Sequence, residues 1–188
     1  MGEVSRLAPI MLEGATQLAK KYPQLHFVIP AANDKIKQYL ADELGIASMP
    51  VEVIDGQSKE LLALCDFTVL ASGTAALEAG LFAKPMVVMY KVSKLNEMYA
   101  KRTMVVDHYS MPNHLIKPPV VPELIQQDAT AENMVREVSR LIDEPEHYQH
   151  MHNELSKIAP ALNLNSGELA CDAIEEVIEN HKASSMNS

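Results

Sequence analysis

The run Ala71-Ser72-Gly73-Thr74-Ala75-Ala76-Leu77-Glu78 holds the residues best suited to chemistry. An apolar stretch ends at Leu70, small residues make a turn, and a helical pattern opens at Thr74 or Ala75. The first N–H groups of a helix lack intrahelical acceptors and lie at the positive end of its dipole. Such a turn suits an anion, usually a phosphate. Gly73 lets a ligand approach the backbone closely. Glu78 lies one turn beyond Thr74 on the same helical face, where a carboxylate can accept two hydroxyl hydrogen bonds, as acids do from ribose in nucleotide folds. The same residues also suit a plain strand-to-helix turn, with Glu78 favouring the first turn electrostatically.

Other candidates carry less. His147, His150 and His152 suggest a metal, but residues three apart share a helical face and those two apart do not. They read as a solvated face. Asp107-His108 pairs an acid with a base, yet no nucleophile accompanies it. Lys91, Lys94, Lys101 and Arg102 form a modest basic cluster, suited to a charged helix face or to contact with anionic lipid or donor phosphate. The eleven methionines read as core fillers.

Apolar spacing predicts the elements that position these residues. Val4, Leu7, Met11, Ala15 and Leu18 share one helical face, and Tyr22-Pro23 ends that helix. Leu25–Ile29 reads as a buried strand, Lys35–Leu44 as a helix stopped by Gly45, and Val51–Ile54 as a strand before the turn Asp55-Gly56. Ser58 opens the next helix. Phe67–Leu70 is a strand, Ala75–Phe82 a helix, Met86–Met89 a strand and Lys94–Lys101 a helix. This alternation predicts an α/β fold: a Rossmann-like parallel sheet of four strands with helices on both faces. The near-continuous apolar runs Phe67–Leu70 and Met86–Met89 suit strands covered on both sides. Such sheets bind ligands beyond the carboxyl ends of their strands.

After Val105 the pattern changes. Pro112, Pro118, Pro119 and Pro122 within 107–128 oppose a regular helix or central strand, so a long structured loop is expected. Thr130 then caps a helix with Met134, Val135, Val138, Leu141 and Ile142 inward. Pro145 starts another, and Ser166 a last one carrying Ala170, Ile174, Val177 and Ile178 on one face. Residues 182–188 read as frayed.

The chain has 188 residues, 47% hydrophobic, with 16 Lys+Arg against 25 Asp+Glu for a net charge of −9. That excludes a wholly disordered chain and argues against a general nucleic-acid binder. Cys65 and Cys171 make no disulfide scaffold and fit a reducing compartment. No secretory signal opens the sequence. The most apolar stretch, Phe67–Ala83, is interrupted by Ser72-Gly73-Thr74 and Glu78 and reads as strand, turn and helix rather than a membrane span.

The run from Leu70 to Glu78, followed by Lys84-Pro85-Met86-Val87-Val88, resembles lipid-A-disaccharide synthase. So do Phe27-Val28-Ile29-Pro30-Ala31-Ala32-Asn33, Ser110-Met111-Pro112-Asn113 and Val121–Asp128, in the family's order across nearly the whole chain. The resemblance implies a GT-B glycosyltransferase of two Rossmann-like domains facing a cleft, of which this chain resembles the carboxyl-terminal, donor-binding one. On it the donor-binding domain covers residues 1–160, and 161–188 form a terminal helix and tail. The implied reaction joins UDP-2,3-diacylglucosamine to 2,3-diacylglucosamine 1-phosphate (lipid X), giving the lipid A disaccharide phosphate and UDP. It is inverting and needs no metal or cofactor. The enzyme is expected as a peripheral protein on the cytoplasmic face of the bacterial inner membrane, and as a homodimer.

Carried over by position, Ser72, Gly73 and Thr74 meet the UDP diphosphate and Glu78 the ribose. Asn113 matches an asparagine needed for activity, and its amide suits a donor phosphate or sugar hydroxyl. Glu123, Gln126 and Gln127 reach the donor from the other side, and Gln57 and Ser58 lie where the uracil is usually placed. The general base and the lipid X site are expected in the amino-terminal domain, which this sequence does not include. Two departures stand out. The family's first strand ends in Leu-Pro-Gly-Ser-Arg before a Glu-Val pair; here Glu3-Val4 has only Met1-Gly2 ahead of it, so that strand and its arginine are missing. His114–Pro119 also replaces the usual Leu-Leu-x-Gly, with Lys117 as a local charge. A related UDP-N-acetylglucosamine transferase, such as the peptidoglycan-precursor enzyme, and a non-catalytic nucleotide-binding module are the rival readings.

Overall fold

The computed structural model describes residues 2–42, 44–93 and 108–162. Chain contacts divide the protein into two units, 1–158 and 159–188. The first opens with α1 (Val4–Lys21), β1 (Phe27–Ala31), α2 (Asp34–Asp42), a 3-10 turn (Ile46–Ser48) and β2 (Val51–Asp55). It continues with α3 (Ser58–Leu64), β3 (Thr68–Ala71), α4 (Thr74–Leu81) and β4 (Met86–Tyr90). Then come α5 (Met111–Leu115), β5 (Glu123–Ile125), α6 (Ala131–Asp143) and α7 (Pro145–Leu155); the short helix α8 (Ile158–Leu162) runs across the division. The helices expected over 94–101 and from Ser166 lie outside the described residues, as do the 182–188 tail, Asp107, Lys94, Lys101, Arg102 and Cys171.

The strands are parallel, as expected, but they form two sheets rather than one: β1-β2 and β3-β4-β5. In the first, Phe27 pairs with Val51 and Ala31 with Asp55. In the second, Thr68 pairs with Met86 and Val88 with Glu123. Sequence spacing counts apolar runs; it cannot say whether consecutive strands are neighbours. Among the described residues β1 pairs only with β2 and β3 only with β4, and this explains a second departure. β3 is as apolar as β4, yet it is half-buried throughout, whereas Met86, Val87, Val88 and Met89 are fully buried. Among the described residues only β4 has a strand on each side.

One helix ties the sheets together. Leu7 and Leu18 of α1 join the large core with β4, Leu124 and Met134, while Leu12 packs with Leu40 and Ile46 under β1-β2. Two cores on one helix require a wide apolar stripe, so Leu12 is buried although the single-face reading had favoured Met11. α6 lies against α1, with its amino end capped by the Thr130 hydroxyl, which accepts from Asn133 N–H (3.2 Å).

Prolines shift two expected boundaries. β1 runs on through Pro30, which a strand with one unpaired edge tolerates. The segment expected as loop holds α5, with Pro112 in its first turn where no N–H is needed, and the short edge strand β5 beginning just after Pro122.

Candidate functional site

β3 and α4 meet at the Ser72-Gly73 turn, as the spacing predicts, with the helix opening at Thr74. Gly73 has φ 145° and ψ −155°, outside the range that side chains favour. The N–H groups of Thr74 and Ala75 open the helix and have no intrahelical acceptor. No acidic residue occupies the first turn, so its positive end is uncompensated there. The carboxylate of Glu78, half-buried on the Thr74 face, has no hydrogen-bond or ion-pair partner among the described residues. Donors for an anion and an acceptor for hydroxyls thus lie one helical turn apart.

Ser72 is already engaged. Its N–H bonds to Met89 O (3.0 Å), and its hydroxyl donates to the carbonyl of Tyr109. Tyr109 starts a strap, residues 109–122, that passes the carboxyl ends of β3 and β4; its ring lies 5.5 Å from that of Tyr90. From the sequence Ser110 enters only as part of the motif Ser110-Met111-Pro112-Asn113, and Tyr90 and Tyr109 carry no assigned role. The available signal was Ser110 before Met-Pro, a helix-opening pattern, which the proline count obscured.

Asn113 is buried, 3% exposed. Its Nδ2 donates to Val121 O (2.8 Å) and to Glu123 Oε1 (2.7 Å), and its Oδ1 accepts from the N–H groups of Val120 and Val121 (3.1 and 3.0 Å). Glu123 likewise faces the strap. Burial alone would raise its pKa, but bonds from Tyr109 N–H, the Ser110 hydroxyl and N–H, and Asn113 outweigh it and hold the carboxyl below its ordinary value. Gln126, at φ 53°, sits at the end of β5, where its Oε1 accepts from Val92 N–H (2.7 Å). Gln127 is exposed beside it. Gln57 and Ser58 are exposed at the end of β2, which belongs to the other sheet. No hydrogen bond among the described residues joins them to the Ser72 turn.

The histidine cluster is not the solvated face that spacing predicts. His147 Nε2 is enclosed without a partner, and His152 Nδ1 lies 2.8 Å from Ala83 O; only His150 is exposed. Among the described residues no group of three or more His, Cys, Asp or Glu is placed to hold a metal. Lys91 bonds to Ala129 O (3.2 Å). Burial pushes the Cys65 thiol up, as suits an unreactive small side chain. No described helix is long and apolar enough to cross a membrane.

The family description Lipid-A-disaccharide synthetase fits residues 1–177. The chain belongs to this family. It is 38% identical over 177 residues to the lipid-A-disaccharide synthase of Pseudomonas fluorescens, covering 94% of this chain and 46% of that protein. The synthase of Geobacter sulfurreducens is 35% identical over 161 residues (86% and 42%), and that of Neisseria meningitidis 33% over 179 (94% and 47%). The chain therefore spans about half the length of the curated relatives it matches. Among solved structures it is similar to UDP-GlcNAc 2-epimerase from Neisseria meningitidis bound to UDP-GlcNAc, with a TM-score of 0.55, 22% identity, and coverage of 89% of this chain and 40% of that one. That likeness supports the Rossmann-like α/β fold.

Proposed function

We propose that this chain is the donor-binding half of a GT-B glycosyltransferase of lipid A biosynthesis. The whole enzyme joins UDP-2,3-diacylglucosamine to lipid X and releases UDP. The observation that carries the donor role is the Ser72-Gly73-Thr74 turn, with its free helix-opening N–H groups and the unpartnered Glu78 one turn on, in a chain matched to the family over 1–177. Thr74 and Ala75 N–H meet the diphosphate, and Glu78 accepts from the ribose hydroxyls. As the anomeric bond breaks, negative charge grows on the leaving UDP, and aligned N–H groups stabilise it without reorganising. The acceptor's hydroxyl oxygen bonds to the anomeric carbon from the face opposite UDP, which inverts that centre, and its proton passes to a base in the other domain. Gln126 and Gln127, at the end of β5, border the sugar side. A lipid acceptor brings the enzyme to the membrane surface as a peripheral protein.

The same reading accounts for the break between the sheets. A strand leading into α1 and lying between β1 and β3 would give the order β2-β1-strand-β3-β4-β5. That is the doubly wound arrangement with its ligand crevice where the order reverses, beside the Ser72 turn. The right-handed crossover through α1 favours that location.

The test joins the chain to the family's amino-terminal domain and first-strand segment and supplies acylated and non-acylated UDP-glucosamine donors with lipid X. Disaccharide phosphate from the acylated donor is expected. Turnover of the non-acylated donor alone would transfer the chain to another UDP-sugar reaction, and failure to bind UDP would remove the donor role.

A further inference from the structure

One carboxylate gathers every proton the strap offers it. Glu123, the first residue of β5, accepts Tyr109 N–H at Oε2 (2.8 Å). At Oε1 it accepts Ser110 N–H (3.0 Å), the Ser110 hydroxyl (2.7 Å) and Asn113 Nδ2 (2.7 Å). Ser110 is fully buried, and Asn113 extends the network to the backbone of Val120 and Val121. The strap's other end reaches the candidate diphosphate turn. Tyr109, held through its N–H by Glu123, gives its carbonyl to the Ser72 hydroxyl, and its ring packs on Tyr90. Ser72 has thus spent its hydroxyl proton on Tyr109 and its N–H on Met89, leaving neither for a phosphate.

We propose that Glu123 is a positioning residue for the diphosphate turn: acting through Tyr109 and Ser72, it fixes where the Thr74 and Ala75 N–H groups point, and it does not touch the donor. The inference rests on the donor-binding reading above and revises the roles that sequence position assigns to Glu123 and Ser72. Without the carboxylate, buried donors at Ser110 and Asn113 lose their acceptor. Such losses are costly enough to move a strap of this size. The Tyr109 carbonyl moves with the strap, and the turn loses its tether.

A double-mutant cycle tests this on the chain carrying the family's first-strand segment, with UDP as the probe and calorimetry as the readout. Glu123→Gln and Ser72→Ala are each expected to weaken UDP binding by about tenfold. The double variant should be no weaker than the weaker single one, because both break the same chain of contacts. Multiplying effects would mean that Glu123 meets the donor independently, and unchanged affinity in Glu123→Gln would equally overturn the proposal. Ser110→Ala removes one of the four bonds; it should give a smaller loss that is again absent in the Ser72→Ala background, and serves if Glu123→Gln does not fold. If the parent protein binds no UDP, the donor reading fails by itself. Amide exchange in the ligand-free protein then decides the positioning claim: Glu123→Gln should speed exchange at Ser72 N–H, and an unchanged rate would overturn it.

Discussion

Ser72, Glu78, Asn113 and Glu123 are all polar residues near strand ends, and they divide by what their hydrogen bonds already hold. Asn113 and Glu123 are occupied by the strap, and Ser72 by Tyr109 and Met89. The Glu78 carboxylate alone among these four side chains has no partner among the described residues while its residue is half-buried, the state expected of a group awaiting a ligand. Glu78→Ala is expected to weaken UDP binding by about tenfold, the scale of a lost hydrogen bond to a charged group. The affinity for inorganic pyrophosphate, which has no ribose, should stay unchanged. Calorimetry with the two probes measures both; an equal loss for both would move Glu78 from the ribose to the phosphates.

Among the elements, the β3–α4 turn and the α4–α5 contact do most to shape the site. Gly73 has open space around the position of a Cβ, with nothing within 4 Å, so its φ of 145° rather than crowding demands glycine. Gly73→Ala should cost about 1–3 kcal/mol from backbone strain alone and lower the melting temperature. An unchanged melting curve would show that the turn relaxes freely. Gly80 is the opposite case. A Cβ there would lie 2.9 Å from Ile158 Cδ1 and 3.4 Å from Pro112 Cγ, so the helix must present bare backbone for α5 to dock. The turn and the helix start were legible in the sequence because they depend on neighbours in the chain. α5 and β5 were not: four prolines within 107–128 argued for loop, and only the docking of Pro112 on α4 and the pairing of Glu123 with Val88 give those residues regular structure.

At the scale of the whole molecule, α1 serves two cores beneath two sheets, and among the described residues no strand joins β1 to β3. Adding the family's first-strand segment ahead of Glu3 is expected to join the two sheets. Amide exchange should slow at the N–H groups of β1 and β3 that have no strand partner among the described residues, and the melting temperature should rise. If exchange in both strands is the same with and without the segment, the strand belongs elsewhere and the proposed order is wrong. The same comparison bears on the donor site, since the crevice at a reversal of strand order needs both walls.

The sequence by itself determined the kinds of element, because apolar period and turn chemistry act over a few residues, and it determined the family, because motifs in a fixed order cover most of the chain. It also located the turn at Ser72-Gly73, which is a local junction of strand and helix. Only the tertiary structure decided that Asn113 and Glu123 face each other, that Ser72 is tethered to Tyr109, and that the strands fall into two sheets. Those outcomes depend on which distant donor meets which acceptor and on which strands lie side by side. Contacts such as Ser72 with Tyr109, 37 residues apart, leave no periodic trace in the chain.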